Sequence, residues 1–225
     1  MTSSWEEVCG LRTKLYYFLG NCLLESIPDK GTEAMQREFW QQFPLEAAND
    51  KMKSGLDRLI NCTEYLEKLP ASQASQEIQL EFTSLFIGPG QPKAPPWESV
   101  YRTPEKLLFG WPTLQVRKAY QQDGFEIKRK YQMPEDHMGL ELMFLSTVSD
   151  ALAKTIINNN QSSIPVMIER QIDFISNHPL TWIEDFFNDA HSSESIGFYS
   201  GMIELIWGIL LWDLEILREM LQDFK

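Results

Sequence analysis

The sequence predicts an all-α fold, a globular bundle of about nine or ten helices. Apolar residues recur at spacings of three and four along most of its length. No stretch sustains the alternation of a half-buried strand. Of its 225 residues, 43% are apolar and 23% charged, a globular and not a disordered composition. That length can bury a sizeable core, and seven Trp and thirteen Phe make it aromatic. The expected organisation is a single helical domain over 1–225, with residues 87–103 as a proline-rich loop.

Each element has its own signal. Leu11, Leu15, Phe18, Leu19, Cys22 and Leu23 form one face of a first helix, with Pro28 and Gly31 marking its end. A second covers Glu33 to Gln42 and stops before Pro44, because the residue preceding proline leaves the helical region. Leu56, Leu59, Ile60, Thr63, Leu66 and Leu69 mark a third, ended by Pro70; Ser72 to Phe86 is a fourth. Residues 87–96 then hold four prolines and two glycines, which no helix or central strand survives. This stretch is either a hinge between helical halves or an ordered surface loop.

Pro104 suits the first turn of a short helix, and Pro112 that of the next, up to Gln122. Pro134, Glu135, Asp136 and His137 read as the opening turn of a long helix with Met138, Leu142, Leu145, Val148, Leu152 and Ile156 as its buried stripe. Pro165 opens a helix to about Asn177, and Pro179 one through Asp189. The last runs from about Ser195 to Gln222 and is apolar almost all round at Leu205 to Trp212, which predicts a central core element.

Composition excludes several functions. The net charge is −12 and the pI about 4.7, which argues against nucleic-acid binding, since phosphate neutralisation needs clustered Lys and Arg. Ten acids against Arg218 and Lys225 in residues 171–225 give either a solvated acidic surface or a field that attracts a basic partner. Cys9, Cys22 and Cys62 are odd in number and lack C-x-x-C spacing, so neither a disulfide framework nor a Cys-based zinc site is expected. The N-terminus has no basic-then-apolar signal pattern. The most apolar stretch is shorter than the ~20 residues a bilayer requires. The expectation is a soluble, cytoplasmic protein with no integral membrane segment.

Catalytic signatures are sparse. His137, His178 and His191 form no facing H-x-x-x-H pair, and Glu135, Asp136 and His137 are consecutive, so they cannot chelate jointly on a helix. There is no G-x-S-x-G elbow. Pro89 removes an amide donor that a phosphate loop would need. The chain is therefore expected not to be an enzyme and to hold no metal and no cofactor. Asp136 and His137 stand out at a helix start, either as a capping pair or as part of a site. Trp97, Tyr101, Phe109 and Trp111, with Glu98 and Ser99 among them, either fill core or line a concave apolar site.

Three ordered motifs carry a family resemblance: Leu85-Phe86-Ile87-Gly88-Pro89, then Pro95-Pro96-Trp97-Glu98-Ser99-Val100-Tyr101, then Pro134 to Leu142 around Asp136-His137. Together they resemble the TorD/DmsD redox-enzyme maturation chaperones. Leu107-Leu108-Phe109-Gly110 and Thr113 to Arg117 resemble the DmsD branch. His178 and the segment from Trp182 to Tyr199 are similar to the family's C-terminal signature.

The resemblance implies an all-helical chaperone, single-domain or domain-swapped, without turnover of its own. It would bind the twin-arginine leader and apo catalytic subunit of a molybdoenzyme precursor, of the dimethyl sulfoxide or trimethylamine N-oxide reductase type. It would assist cofactor insertion and prevent premature export, with the twin-arginine (Tat) translocase as a further partner. The implied peptide-binding residues are Trp97, Glu98, Ser99, Tyr101, Asp136, His137 and Gly139; Gly110 and Glu141 also match family positions. Weak guanine-nucleotide binding comes with the family alone. Two alternatives remain at this point: a nucleotide-hydrolysing enzyme using Asp136 and His137, and a scaffold that grips only the apoenzyme body.

Overall fold

The computed structural model describes residues 2–27, 32–127 and 133–225. The expected end of the first helix at Pro28 and Gly31 lies outside the described residues. In chain order the helices are α1 (Thr2–Leu24), α2 (Arg37–Gln41), α3 (Asp50–Leu66), α4 (Ala71–Phe82), α5 (Glu98–Arg102), α6 (Trp111–Gln122), α7 (Met138–Ile157), α8 (Ile164–Asn177), α9 (Ile183–Ser193) and α10 (Phe198–Asp223). A π-helical turn, Thr83–Ile87, extends α4, and 3-10 turns cover Glu33–Met35 and Pro179–Thr181. The only β-type pairing among the described residues is one isolated antiparallel bridge between Trp97 and His137. The fold is all-α, as the spacing of apolar residues predicts.

Several boundaries differ from the sequence reading; the helix expected from Pro179 through Asp189 is a 3-10 turn, Pro179–Thr181, followed by α9 over Ile183–Ser193. The segment from Glu33 splits at Gln36, whose backbone is extended (φ −98°, ψ 136°), and Trp40 Nε1 donates back to the Ala34 carbonyl at 2.8 Å. The short helix expected at Pro104 lies before it instead, as α5. The long helix begins at Met138, not at Pro134. His137 is its N-cap residue, and Glu135 and Asp136 precede it as a turn. Asp136 is therefore free to bond elsewhere.

The chain divides into two compact units. The first comprises Met1–Leu24, Trp97–Trp182 and Asp213–Lys225. In it α1 and α7 pack side by side. Gly20 and Gly139 allow the close approach: a Cβ on Gly20 would lie 2.9 Å from the Gly139 carbonyl, and one on Gly139 would lie 2.8 Å from Leu24 Cγ. Leu142, Leu145, Val148, Leu152 and Ile156 are buried along α7, as their spacing predicts. A buried polar knot joins the three chain pieces of this unit. Arg12 of α1 bonds both oxygens of Asp213 (2.5 and 2.9 Å) and Gln171 (2.8 Å), and Tyr16 donates to Asp213 at 2.6 Å. Burying such charges is tolerable only because they are paired and hydrogen-bonded.

The second unit comprises Glu25–Pro96 and Ile183–Trp212. Its α3 and the first half of α10 meet through glycines: a Cβ on Gly55 would run into the Leu205 backbone, and one on Gly208 into Met52. The Glu81 carboxylate caps α10. One oxygen accepts from Ser195, Ile196 and Gly197 N–H (2.8–3.0 Å), the other from Phe198 and Tyr199 N–H (both 3.0 Å). Phe198 and Tyr199 open the helix, where N–H groups lack intrahelical partners and the helix dipole favours an anion. The proline segment folds back on the π-helical turn: Ala94 N–H bonds the Leu85 carbonyl at 2.8 Å, and Ala94, Pro95 and Pro96 are buried. The expected all-round apolar stretch of α10 is mostly buried, but Leu211 is exposed.

Candidate functional site

The site residues expected from the sequence all lie in the first unit, on two chain segments that pair with each other. Trp97 and His137 form the isolated bridge, with their rings edge to face at 5.2 Å. Glu98 N–H donates to the Asp136 carbonyl at 2.9 Å. The Asp136 carboxylate then accepts from Ser99 N–H (2.7 Å) and from Thr113 Oγ1 (2.9 Å). Asp136 thus satisfies a free N–H at the start of α5, a helix to which it does not belong.

Helix α6 fixes the Glu135–Asp136 segment from one face. Thr113, Arg117 and Tyr120 are spaced by four and three, so they point the same way. Thr113 bonds Asp136, Arg117 forks onto both Glu135 oxygens (2.6 and 2.9 Å), and Tyr120 Oη donates to the Glu135 carbonyl at 3.0 Å. Sequence reasoning missed this clamp, although the spacing was visible.

His137 is buried, and burial alone pushes its imidazole down to about 3. The ring is neutral near pH 7. Its Nδ1 accepts from Gly139 N–H at 3.0 Å, which assigns the ring proton to Nε2. Gly139 therefore serves twice, as the donor to His137 and as the small residue facing α1. Glu141, one turn further on and fully buried, has its carboxyl pushed well above the usual range by burial, then by the charges of Glu98 and Asp136. Burial thus favours its protonated form.

Glu98 is also fully buried, yet it is paired on both oxygens. Oε2 accepts from His178 Nδ1 at 2.9 Å, and Oε1 pairs with Arg102 one turn along α5. Arg102 donates in addition to the Asn177 carbonyl at 2.8 Å, and its guanidinium lies over the Trp111 ring, 4.7 Å from the centroid. Tyr101 stacks on Trp182 at 5.3 Å. Arg102, Thr113 and Asn177 are members of this constellation that the sequence reading did not single out. The Glu98–Arg102 spacing of four was the available signal, hidden because a loop was assigned there.

Glu98, Ser99, Asp136, His137 and Gly139 are thus buried, and Trp97 and Tyr101 are half-buried. The exposed surface beside them is apolar. Leu107, Leu108, Phe109, Trp111 and Leu114 are all exposed, Leu107 at 64% and Phe109 at 67%. Lys106 and Phe109 hold left-handed backbones (φ 51° and 63°), a conformation costing non-glycine residues roughly 1 kcal/mol or more each. Gly110 seats this loop on the site: a Cβ there would lie 2.6 Å from Thr103 Cγ2 and 3.4 Å from Ser99 Cβ.

Among the described residues no three His, Cys, Asp or Glu side chains are grouped so as to hold a metal ion. Burial pushes the Cys22 and Cys62 thiols up to about 12, so neither is a ready nucleophile. No described helix is long and apolar enough to cross a membrane.

The all-helical body carries a strained apolar loop packed on a buried carboxylate cluster, and comparison with known proteins gives its class. The chain belongs to the family described as nitrate reductase delta subunit, whose model matches residues 44–188 and to which the TorD and DmsD chaperones belong. Its class is that of a chaperone and not of an enzyme. Among its relatives is the chaperone protein TorD of Vibrio cholerae serotype O1, 27% identical over 213 residues that span 94% of each chain. The TorD chaperone of Vibrio parahaemolyticus is 23% identical, over 87% of this chain and 89% of its own. A protein of Haemophilus influenzae described as a probable Tat proofreading chaperone DmsD is 33% identical, over 56% of this chain and 55% of its own. The TorD matches thus run nearly end to end, whereas the DmsD match covers little more than half.

Proposed function

We propose that this chaperone binds the twin-arginine leader of a molybdoenzyme precursor in the cytoplasm, through the first unit, and holds the apoenzyme during maturation. The reading is supported by one juxtaposition above all. An exposed apolar loop, Leu107 to Leu114, is packed through Gly110 against the segment bearing Glu98 and Ser99. A twin-arginine leader is a cationic pair followed by an apolar run, and its receptor needs a carboxylate beside exposed apolar surface. The relatives named for TorD and for Tat proofreading point the same way.

The buried residues act here as a frame. Asp136, His137 and Gly139, with the half-buried Trp97, fix α5 and the loop, so that Tyr101, Trp111 and Phe109 meet the peptide. Charge-assisted bonds contribute about 1.5–3 kcal/mol each, whereas micromolar binding needs about 8 kcal/mol, so the apolar run supplies much of the affinity.

Calorimetric titration with a synthetic twin-arginine leader tests the reading. Binding is expected to weaken with raised salt and with Phe109→Ser. A leader that gives no binding heat, and no shift in melting temperature, would exclude it. The client is expected to be a reductase catalytic subunit of the dimethyl sulfoxide or trimethylamine N-oxide type, identified by co-purification of the precursor.

A further inference from the structure

The surroundings of Arg102 are those of a guanidinium receptor. A guanidinium is planar and cationic, with donors along its edges and a face that stacks on aromatic rings. Arg102 Nη1 donates both to Glu98 Oε1 and, at 2.8 Å, to the Asn177 carbonyl, and the Trp111 ring covers the face at 4.7 Å. Asn177 is the last residue of α8, where carbonyls lack intrahelical partners and the helix dipole favours a cation.

Two of these parts, Glu98 and the Asn177 carbonyl, do not depend on Arg102 for their placement. Glu98 is buried and held through its other oxygen by His178 at 2.9 Å. Asn177 ends a fourteen-residue helix. Arg102, by contrast, ends a five-residue helix and keeps 24% of its side-chain surface in solvent. The fixed half of the contact is the receptor; the movable half is the arginine.

We infer that Glu98, Trp111 and the Asn177 carbonyl form an arginine seat that Arg102 fills in the free protein and that an arginine of the leader takes over on binding. The inference rests on the leader-binding reading and deepens it. Arg102 keeps one side in solvent and can leave the seat while His178 still pairs the buried Glu98. Each closed molecule is nonetheless unavailable to the leader, which lowers the apparent affinity by the closed fraction. A leader arginine prevails because its neighbouring apolar run is anchored on Leu107 and Phe109, which raises its local concentration at the seat.

The test compares the full chain with its Arg102→Ala variant. With a synthetic twin-arginine leader, Arg102→Ala is expected to bind about three- to tenfold more tightly. With the same leader carrying two lysines, no gain is expected, because an ammonium has no planar face to lie on the Trp111 ring. Unchanged or weaker binding of the arginine leader by folded Arg102→Ala would overturn the inference.

A second arm needs no leader. Millimolar methylguanidinium, but not methylammonium, is expected to raise the melting temperature of Arg102→Ala and to change Trp111 fluorescence, read by difference against Trp111→Phe in the same background. No response would overturn the seat. If Arg102→Ala does not fold, the Arg102 Nε–H resonance of the wild-type chain is followed instead: displacement by the leader supports the exchange, and an unmoved signal overturns it. A leader that binds neither protein would fail the chaperone reading, while the methylguanidinium arm would still judge the seat.

Discussion

The Asp136 carboxylate holds the Ser99 N–H at 2.7 Å across thirty-seven residues of chain, so each of the two segments ends up shaped by the other. An acid expected to cap its own helix instead starts α5, and His137 takes over at the start of α7. Asp136→Ala leaves the Ser99 N–H and the Thr113 hydroxyl without this partner. The expected loss is about 1–3 kcal/mol of stability per orphaned group, measured by urea unfolding. Leader affinity should fall with it, whereas Asp136→Asn, which keeps one acceptor oxygen, should retain part of both.

His137 sets an acid-side dependence. Its folded pKa of about 3 lies below the ordinary 6.5, so below pH 6.5 the unfolded chain binds a proton that the folded chain refuses. Stability is full above that pH and declines as the pH falls towards about 3. His137→Asn keeps an N-cap acceptor without a titrating group. The fall in urea midpoint between pH 7 and pH 4.5 should therefore be smaller in His137→Asn than in the wild type.

Glu141 works in the opposite direction. Its folded pKa is raised, so the stability it permits is full below the ordinary 4.5 and is lost as pH rises through the folded value. Glu141→Gln removes the ionisation and keeps the shape. The variant should be more stable than the wild type at neutral pH, by an amount that grows on going from pH 5 to pH 8. A flat or inverted difference in melting temperature would refute the burial argument.

In the second unit, Glu81→Ala withdraws an acceptor from five backbone N–H groups at the start of α10. A loss of about 3–5 kcal/mol is expected, as for breaking a buried charged network. Hydrogen exchange of the Ser195 to Tyr199 amides should report it before global unfolding does. Glu81→Gln should lose less, since its amide oxygen still accepts from part of the set.

Gly55→Ala should be among the most damaging single-methyl additions, because the new Cβ would meet the Leu205 backbone and not a yielding side-chain tip. Overpacking of this kind costs typically 1–3 kcal/mol or more. Gly10→Ala, with nothing within 4 Å of the added carbon, serves as the control and should be neutral or slightly stabilising through helix propensity.

Helices were legible in the sequence wherever one face is buried over several turns. The stripe from Leu142 to Ile156 needed only its spacing. Two kinds of feature were not legible. Helix α5 has five residues, too few for periodicity to register, and it follows Pro95 and Pro96, which read as loop. The second kind is the bond across segments: spacing reports which residues share a face, but not that Asp136 reaches Ser99 or that Arg117 reaches Glu135. The family motifs drew attention to Trp97, Glu98, Asp136 and His137, and the structure brings them together in one unit. Arg102, which no motif marked, reaches the same cluster through a spacing of four along α5.

The three chain pieces of the first unit are made at different times. Arg12 is synthesised 201 residues before Asp213, which neutralises it in the finished knot. Until then α1 carries a cation that cannot be buried without its partner, so the first unit cannot close on a partly made chain. The buried pair thus acts as a check on synthesis: only a chain made past Asp213 can assemble the body that carries the arginine seat.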